Sequence, residues 1–232
     1  KKGVIVVRDS TNYQVINRFD SHGIGPHQLK LMPDGTTLVV ANGGILTHPD
    51  WPRMKLNLDT MQPNLTYMNR HTGELIERVT LNEHQLSLRH LDVNSDGVVV
   101  VGAQYQGDKS QVQPLVFKHQ LGTSLIPFDA EESVWKSMQQ YTASVVLNKD
   151  FAFVSCPRGN VFNQFDLNSN ALIKQFEMPD VAGLADSPKG LFASSGTGLL
   201  KQIEGINDKE IVRDNNHQSL LFDNHMTVIL GA

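Results

Sequence analysis

Apolar and β-branched residues recur along the chain in runs of strand length, and successive runs are joined by turns rich in Gly, Asp and Asn. The clearest unit is His27-Gln-Leu-Lys-Leu-Met, the turn Pro33-Asp34-Gly35, then Thr36-Thr-Leu-Val-Val-Ala-Asn42. Arg89-His-Leu-Asp-Val-Asn with Ser95-Asp96-Gly97 and Val98-Val-Val-Val-Gly102 repeats it. So does Thr142-Ala-Ser-Val-Val-Leu147 with Asn148-Lys149-Asp150 and Phe151-Ala-Phe-Val-Ser-Cys156. Weaker copies place turns at Ser187-Pro-Lys-Gly190 and at Asp223-Asn224-His225, the second between residues 217–222 and 226–230. Between these hairpins lie others, pairing residues 4–8 with 13–19, 65–69 with 74–79, 115–118 with 124–128, and 161–165 with 171–176.

Two hairpins per unit make a four-stranded blade, so the pattern predicts an all-β fold, a β-propeller of the WD40-like or YVTN-like kind. At about 40 to 50 residues per blade, the chain holds about four and a half blades in a single domain over residues 1–232. A propeller buries each blade face against a neighbour, and an open end would expose an apolar sheet. The chain also enters on an outer hairpin. The expectation is therefore that it is truncated at its N-terminal side, or that a second chain completes the ring. One helix is predicted, over residues 130–140, with Val134, Trp135 and Met138 on its apolar face.

Composition narrows the function classes. Hydrophobic residues make up 40% and charged residues 19%, which suits a globular core. The net charge of -4 and the absence of a basic run argue against a nucleic-acid partner. Apolar runs are strand-sized, so no transmembrane segment is expected. The single Cys156 permits no internal disulfide, and its place at the end of an alternating apolar strand suits a buried structural thiol.

Register then assigns candidate chemistry. Counting back from each inner-hairpin turn by a constant offset reaches His27, Arg89, Thr142, Ala182 and His217. All should open their inner strands at one mouth of the channel. The long connection over residues 43–63 projects from the same face and carries Trp51, Leu56, Leu58 and Met61, so it should fold over that mouth. It and neighbouring loops add Arg53, Lys55, Asp59 and Arg158 as candidate ligand-binding residues. Guanidinium groups match carboxylates and phosphates, which points to an anionic ligand. The imidazoles of His27, His90 and His217 are a candidate set for a transition metal, although no short ligand spacing accompanies them.

Other motifs read as structure. Asp92-Val-Asn94-Ser-Asp96-Gly97 imitates a calcium loop, but Ala103 stands where a bidentate Glu is needed. By register Asp223-Asn224-His225 is a turn at the far end of the channel. No Gly-x-Ser-x-Gly elbow marks a nucleophile.

The stretches Gly25-Pro-His27-Gln, His48-Pro-Asp50, Leu56-Asn-Leu-Asp-Thr-Met61, Arg89-His90, Ser155-Cys-Pro-Arg-Gly159, Ser195-Gly-Thr-Gly198 and Asp223-Asn-His225 together resemble the bacterial family catalogued as domain of unknown function fifteen-thirteen. That resemblance implies a periplasmic seven-bladed propeller, encoded near imelysin-like proteins of iron uptake, with no established activity. The expected function is a non-catalytic binding or scaffold propeller. Its channel mouth would hold an anionic small molecule, an iron complex or a periplasmic partner protein. The competing expectation is a metal-dependent hydrolase or oxidoreductase with a His-lined channel site.

Overall fold

The computed structural model describes residues 2–48, 50, 54–203 and 221–229. Among them are seventeen strands in five antiparallel sheets. β1 (Val4–Arg8) and β2 (Val15–Asp20) form a two-stranded sheet. Three four-stranded blades follow. The first contains β3 (Pro26–Leu31), β4 (Thr37–Asn42), β5 (Asn64–Asn69) and β6 (Leu75–Thr80). β7 (Leu86–Val93), β8 (Val99–Tyr105), β9 (Val116–His119) and β10 (Ile126–Pro127) make the second. The third is β11 (Val145–Leu147), β12 (Phe151–Cys156), β13 (Val161–Asp166) and β14 (Ala171–Glu177). A sheet of β15 (Val181–Ser187), β16 (Gly190–Ser195) and β17 (Leu200–Ile203) ends the series. Within every blade the strands are neighbours in sequence order, and the inner strands β3, β7, β11 and β15 touch in succession. This is the propeller arrangement that the repeat predicts.

Turn chemistry explains the hairpins. Asp34 Oδ1 accepts the backbone N–H groups of Thr36 and Thr37, while Gly35 takes φ 68°. Asn94 plays the same part for Asp96 and Val98, with Gly97 at φ 77°. A side chain at either glycine would meet the left-handed penalty. Asn148 Oδ1 closes the third turn on the N–H groups of Asp150 and Phe151.

The core fills the wedges between blades. Val39, Leu65 and Tyr67 of one blade pack with Leu88, Leu91 and Val99–Val101 of the next, all fully buried. Burying Tyr67 requires a partner for its hydroxyl, which donates to His119 Nδ1 at 2.7 Å. His119 Nε2 must then donate to the Thr123 carbonyl at 3.0 Å, which fixes the tautomer. Cys156 is buried and unpaired, and desolvation raises its thiol pKa.

Three features depart from the sequence pattern. The helix, α1, is confined to Glu132–Ser137; Gln139 and Gln140 both have positive φ, which stops it. Trp135 and Met138 are buried and Val134 is half-buried. Three inner strands carry an irregularity in their pairing, at His27 in β3, at Arg89-His90 in β7 and at Ala182-Gly183 in β15. Finally, residues 221–229 form no strand, so the constant offset that placed residues 223–225 at the far end of the channel does not apply to them.

Candidate functional site

A β-bulge adds a residue to one strand and re-aims its side chains. In β3 and β7 the bulged residues are His27 and Arg89-His90, and these three groups meet. Arg89 Nη1 lies 3.2 Å from His27 Nδ1, His27 Nε2 lies 3.2 Å from His90 Nε2, and His90 Nδ1 lies 3.1 Å from Gln28 Oε1. Gln28 Oε1 also accepts the backbone N–H of Leu91.

The proton positions follow from the ends of this chain. A guanidinium only donates, so His27 Nδ1 accepts from Arg89 and His27 Nε2 carries the hydrogen. That hydrogen goes to His90 Nε2, and His90 Nδ1–H goes to the Gln28 carbonyl oxygen. Every link holds only while both imidazoles are neutral. Burial, then Arg89 and His225, lowers the His27 pKa from 6.5 to about 4. Burial, then His27, His225 and Arg89, lowers that of His90 to about 3.

His225 completes the cluster from a direction the register did not predict. Its ring centroid lies 5.0 Å from that of His90, while His27 and His90 meet edge to face at 4.7 Å. The segment reaches this point by crossing the β15 bulge. A Cβ at Gly183 would stand 3.1 Å from the Asp223 carbonyl oxygen and 3.5 Å from Met226 Cβ. Residues 223–225 therefore lie beside the His27 mouth rather than at the far end.

Arg89 also belongs to a group of cations. The 43–63 connection is pinned by Asn57, whose Oδ1 accepts the Leu46 N–H and whose Nδ2 donates to the Gly44 carbonyl. It delivers Lys55 Nζ to Gln106 Oε1 on the next blade. Burial, followed by the positive charges of Arg89, Arg158 and Lys109, lowers the Lys55 pKa. Arg158 sits in a 3-10 turn, Pro157–Gly159, with its guanidinium carbon 4.3 Å above the Tyr141 ring. That turn presses against the end of α1 so closely that a Cβ at Gly159 would overlap the Ser137 carbonyl oxygen.

No aspartate or glutamate forms an ion pair with Arg89, Lys55, Arg158 or Lys109 among the described residues. Arg89 Nε is buried without a hydrogen-bond partner. The mouth therefore gathers uncompensated positive charge beside neutral imidazoles, an arrangement able to take up a carboxylate or phosphate.

Of the residues singled out in the sequence, the structure brings together His27, Arg89, His90, Lys55 and Arg158. Asp59 lies exposed in the 3-10 turn Leu58–Thr60, and it is not among the groups that perturb Lys55 or Arg89. Thr142 is buried, donating from Oγ1 to the Ala103 carbonyl, so it ties two blades instead of facing a ligand. Arg53 and His217 lie outside the described residues. Among the described residues, no group of three or more His, Cys, Asp or Glu side chains is arranged to hold a metal ion. Sequence reasoning did not select Gln28, Gln106, Lys109, Tyr141 or His225. Gln28 adjoins the register position His27, so reading that bulge together with its neighbour would have found it.

Structural neighbours support the propeller and nothing finer. A hydrazine synthase from Kuenenia stuttgartiensis superposes with a TM-score of 0.62 at 14% identity, covering 88% of this chain and 66% of that one. The Cps50 (Swd1) β-propeller domain of Myceliophteria thermophila gives 0.60 at 10% identity, covering 90% and 62%. The computationally designed Ika4 protein gives 0.53 at 14% identity, covering 80% and 96%. The chain thus spans 66% and 62% of the lengths of the two natural structures. No curated protein matches its sequence. A protein family of unknown function matches residues 1–229, which is nearly the whole chain, and the chain belongs to that family, DUF1513.

Proposed function

We propose that this protein is a non-catalytic binding propeller whose channel mouth holds a small organic anion through Arg89, Lys55 and Arg158, beside the neutral imidazoles of His27 and His90. The observation that carries the reading is the mutual approach of several cations with no carboxylate paired to them among the described residues. Like charges held together raise the energy of the empty site, and a bound anion relieves that repulsion. Both ring nitrogens of His27 and of His90 are engaged in the chain from Arg89 to Gln28. A metal would have to break that chain, which disfavours the metal-dependent enzyme as a second reading. A periplasmic location and an anionic iron complex as cargo belong to this proposal through the family resemblance. No described helix is long and apolar enough to cross a membrane.

Thermal unfolding in the presence of citrate and of ferric citrate tests the site. A ligand that binds only the folded state raises the melting temperature. The wild-type protein should show that rise with at least one of the two, and Arg89→Ala and Lys55→Ala should each remove most of it. An equal rise in the variants, or none in the wild type, would refute the assignment.

A further inference from the structure

Beside the channel mouth, between α1 and the β8–β9 connection, lies a cavity of about 320 Å³ that shares only Arg158 with the proposed mouth contacts. Its size falls at the lower end of small-molecule pockets. Lys109 and Arg158 supply its positive charge, and among the described residues no carboxylate lines it. A third cation on its rim, Lys136, is already neutralised by Glu132 at 2.6 Å. Asp108, next to Lys109, turns its carboxylate back onto the Ser110 N–H.

The cavity is also lined by carboxamides. Gln111, Gln113 and Gln139 border it, and their side chains form no hydrogen bond among the described residues. Gln140 differs, donating to the Asp108 and Gln111 carbonyls. Val112, Leu115 and Trp135 form the apolar side. The Trp135 indole stacks on Phe165 at an interplanar angle of 13°, so one aromatic face is covered.

A free carboxamide offers one acceptor oxygen and two donor hydrogens, the combination that vicinal hydroxyl groups match, since each hydroxyl both donates and accepts. Two uncompensated cations need one anionic group. We propose that this cavity is a second binding site, specific for a polyhydroxylated carboxylate of sugar-acid size. Its acid group lies against Arg158 and Lys109 and its hydroxyls against Gln111, Gln113 and Gln139. Sulfate, which has no hydrogen to donate, would leave the amide oxygens unused. A neutral sugar would leave the cations unpaired. The inference stands apart from the mouth reading, because Lys109 and the glutamines do not belong to the histidine chain, although Arg158 borders both sites.

Isothermal titration of the intact protein with glucuronate, gluconate, glucose and sulfate tests it. Glucuronate or gluconate should bind at least about tenfold more tightly than glucose or sulfate. Lys109→Ala and Gln113→Leu should each weaken that binding by roughly tenfold, with the circular dichroism and melting temperature of the variants matching wild type. Sulfate binding as tightly as the sugar acids would overturn the specificity. Failure of both sugar acids to bind, or unchanged affinity in folded Gln113→Leu, would overturn the site. These readouts use neither citrate nor Arg89, so this inference and the mouth assignment fail separately.

Discussion

At the scale of single residues, the histidine chain makes the fold sensitive to mild acid. The pKa values of His27 and His90 fall below their ordinary value of 6.5, to about 4 and about 3. The unfolded chain therefore takes up protons first as pH drops, and stability follows the difference in bound protons. The stabilisation is complete above about pH 6.5 and declines as pH falls toward 4, ending near 3. Aspartates such as Asp34 and Asp166 have pKa values lowered from 3.8, so their contribution is lost mainly below about pH 4, beneath the range of melting curves taken from pH 7 to 4. Melting curves from pH 7 to 4 should show a falling midpoint in the wild type and a flatter profile in His27→Gln/His90→Gln. Parallel profiles would contradict the neutral chain. Cys156 makes a second residue-scale case. Burial raises its thiol pKa, so iodoacetamide should not label it in the native protein near neutral pH and should label it after denaturation.

At the scale of elements, hairpins were legible because turn residues and β-branched runs act locally. Asp34-Gly35, Asp96-Gly97 and Asn148-Lys149-Asp150 all close turns where the sequence placed them. The bulges were not legible. A single extra residue between polar neighbours such as Arg89 and His90 leaves no mark on a two-residue alternation. The constant offset found His27 and Arg89 because the irregularities fall at equivalent places, and it failed at His225 because that segment is not a strand. The cavity glutamines were invisible for another reason: carboxamides gathered from a loop and a helix end carry no spacing.

Burial separates positions that look alike in sequence. Leu91 is fully buried between blades, whereas Leu29 on β3 is 41% exposed. Leu91→Ala should destabilise by about 2–5 kcal/mol, through lost transfer energy and the cavity left behind. Leu29→Ala should lower stability by about 1 kcal/mol or less. Urea unfolding of both variants measures the contrast, and similar losses would show that the wedge between blades is not where the core lies.

At the scale of the whole molecule, the propeller provides an arc of successive inner strands from which loops of different blades reach one mouth. Lys55 arrives from the β4–β5 connection, Arg89 from the β7 bulge and Arg158 from the turn after β12. No two come from the same loop, so the charge cluster exists only in the assembled fold and cannot be read as a motif. Fold and family were accessible from the repeat and from the resemblance; the hydrogen-bond order inside the site was not.

Binding at the mouth rests on electrostatic attraction between its cations and an organic anion. Titration calorimetry of citrate into wild-type protein and Arg89→Gln, at low salt and again at about 0.5 M salt, tests this directly. Arg89→Gln should bind at least about tenfold more weakly at low salt, and added salt should weaken the wild type more than the variant. Equal affinities for the two proteins, unaffected by salt, would contradict it.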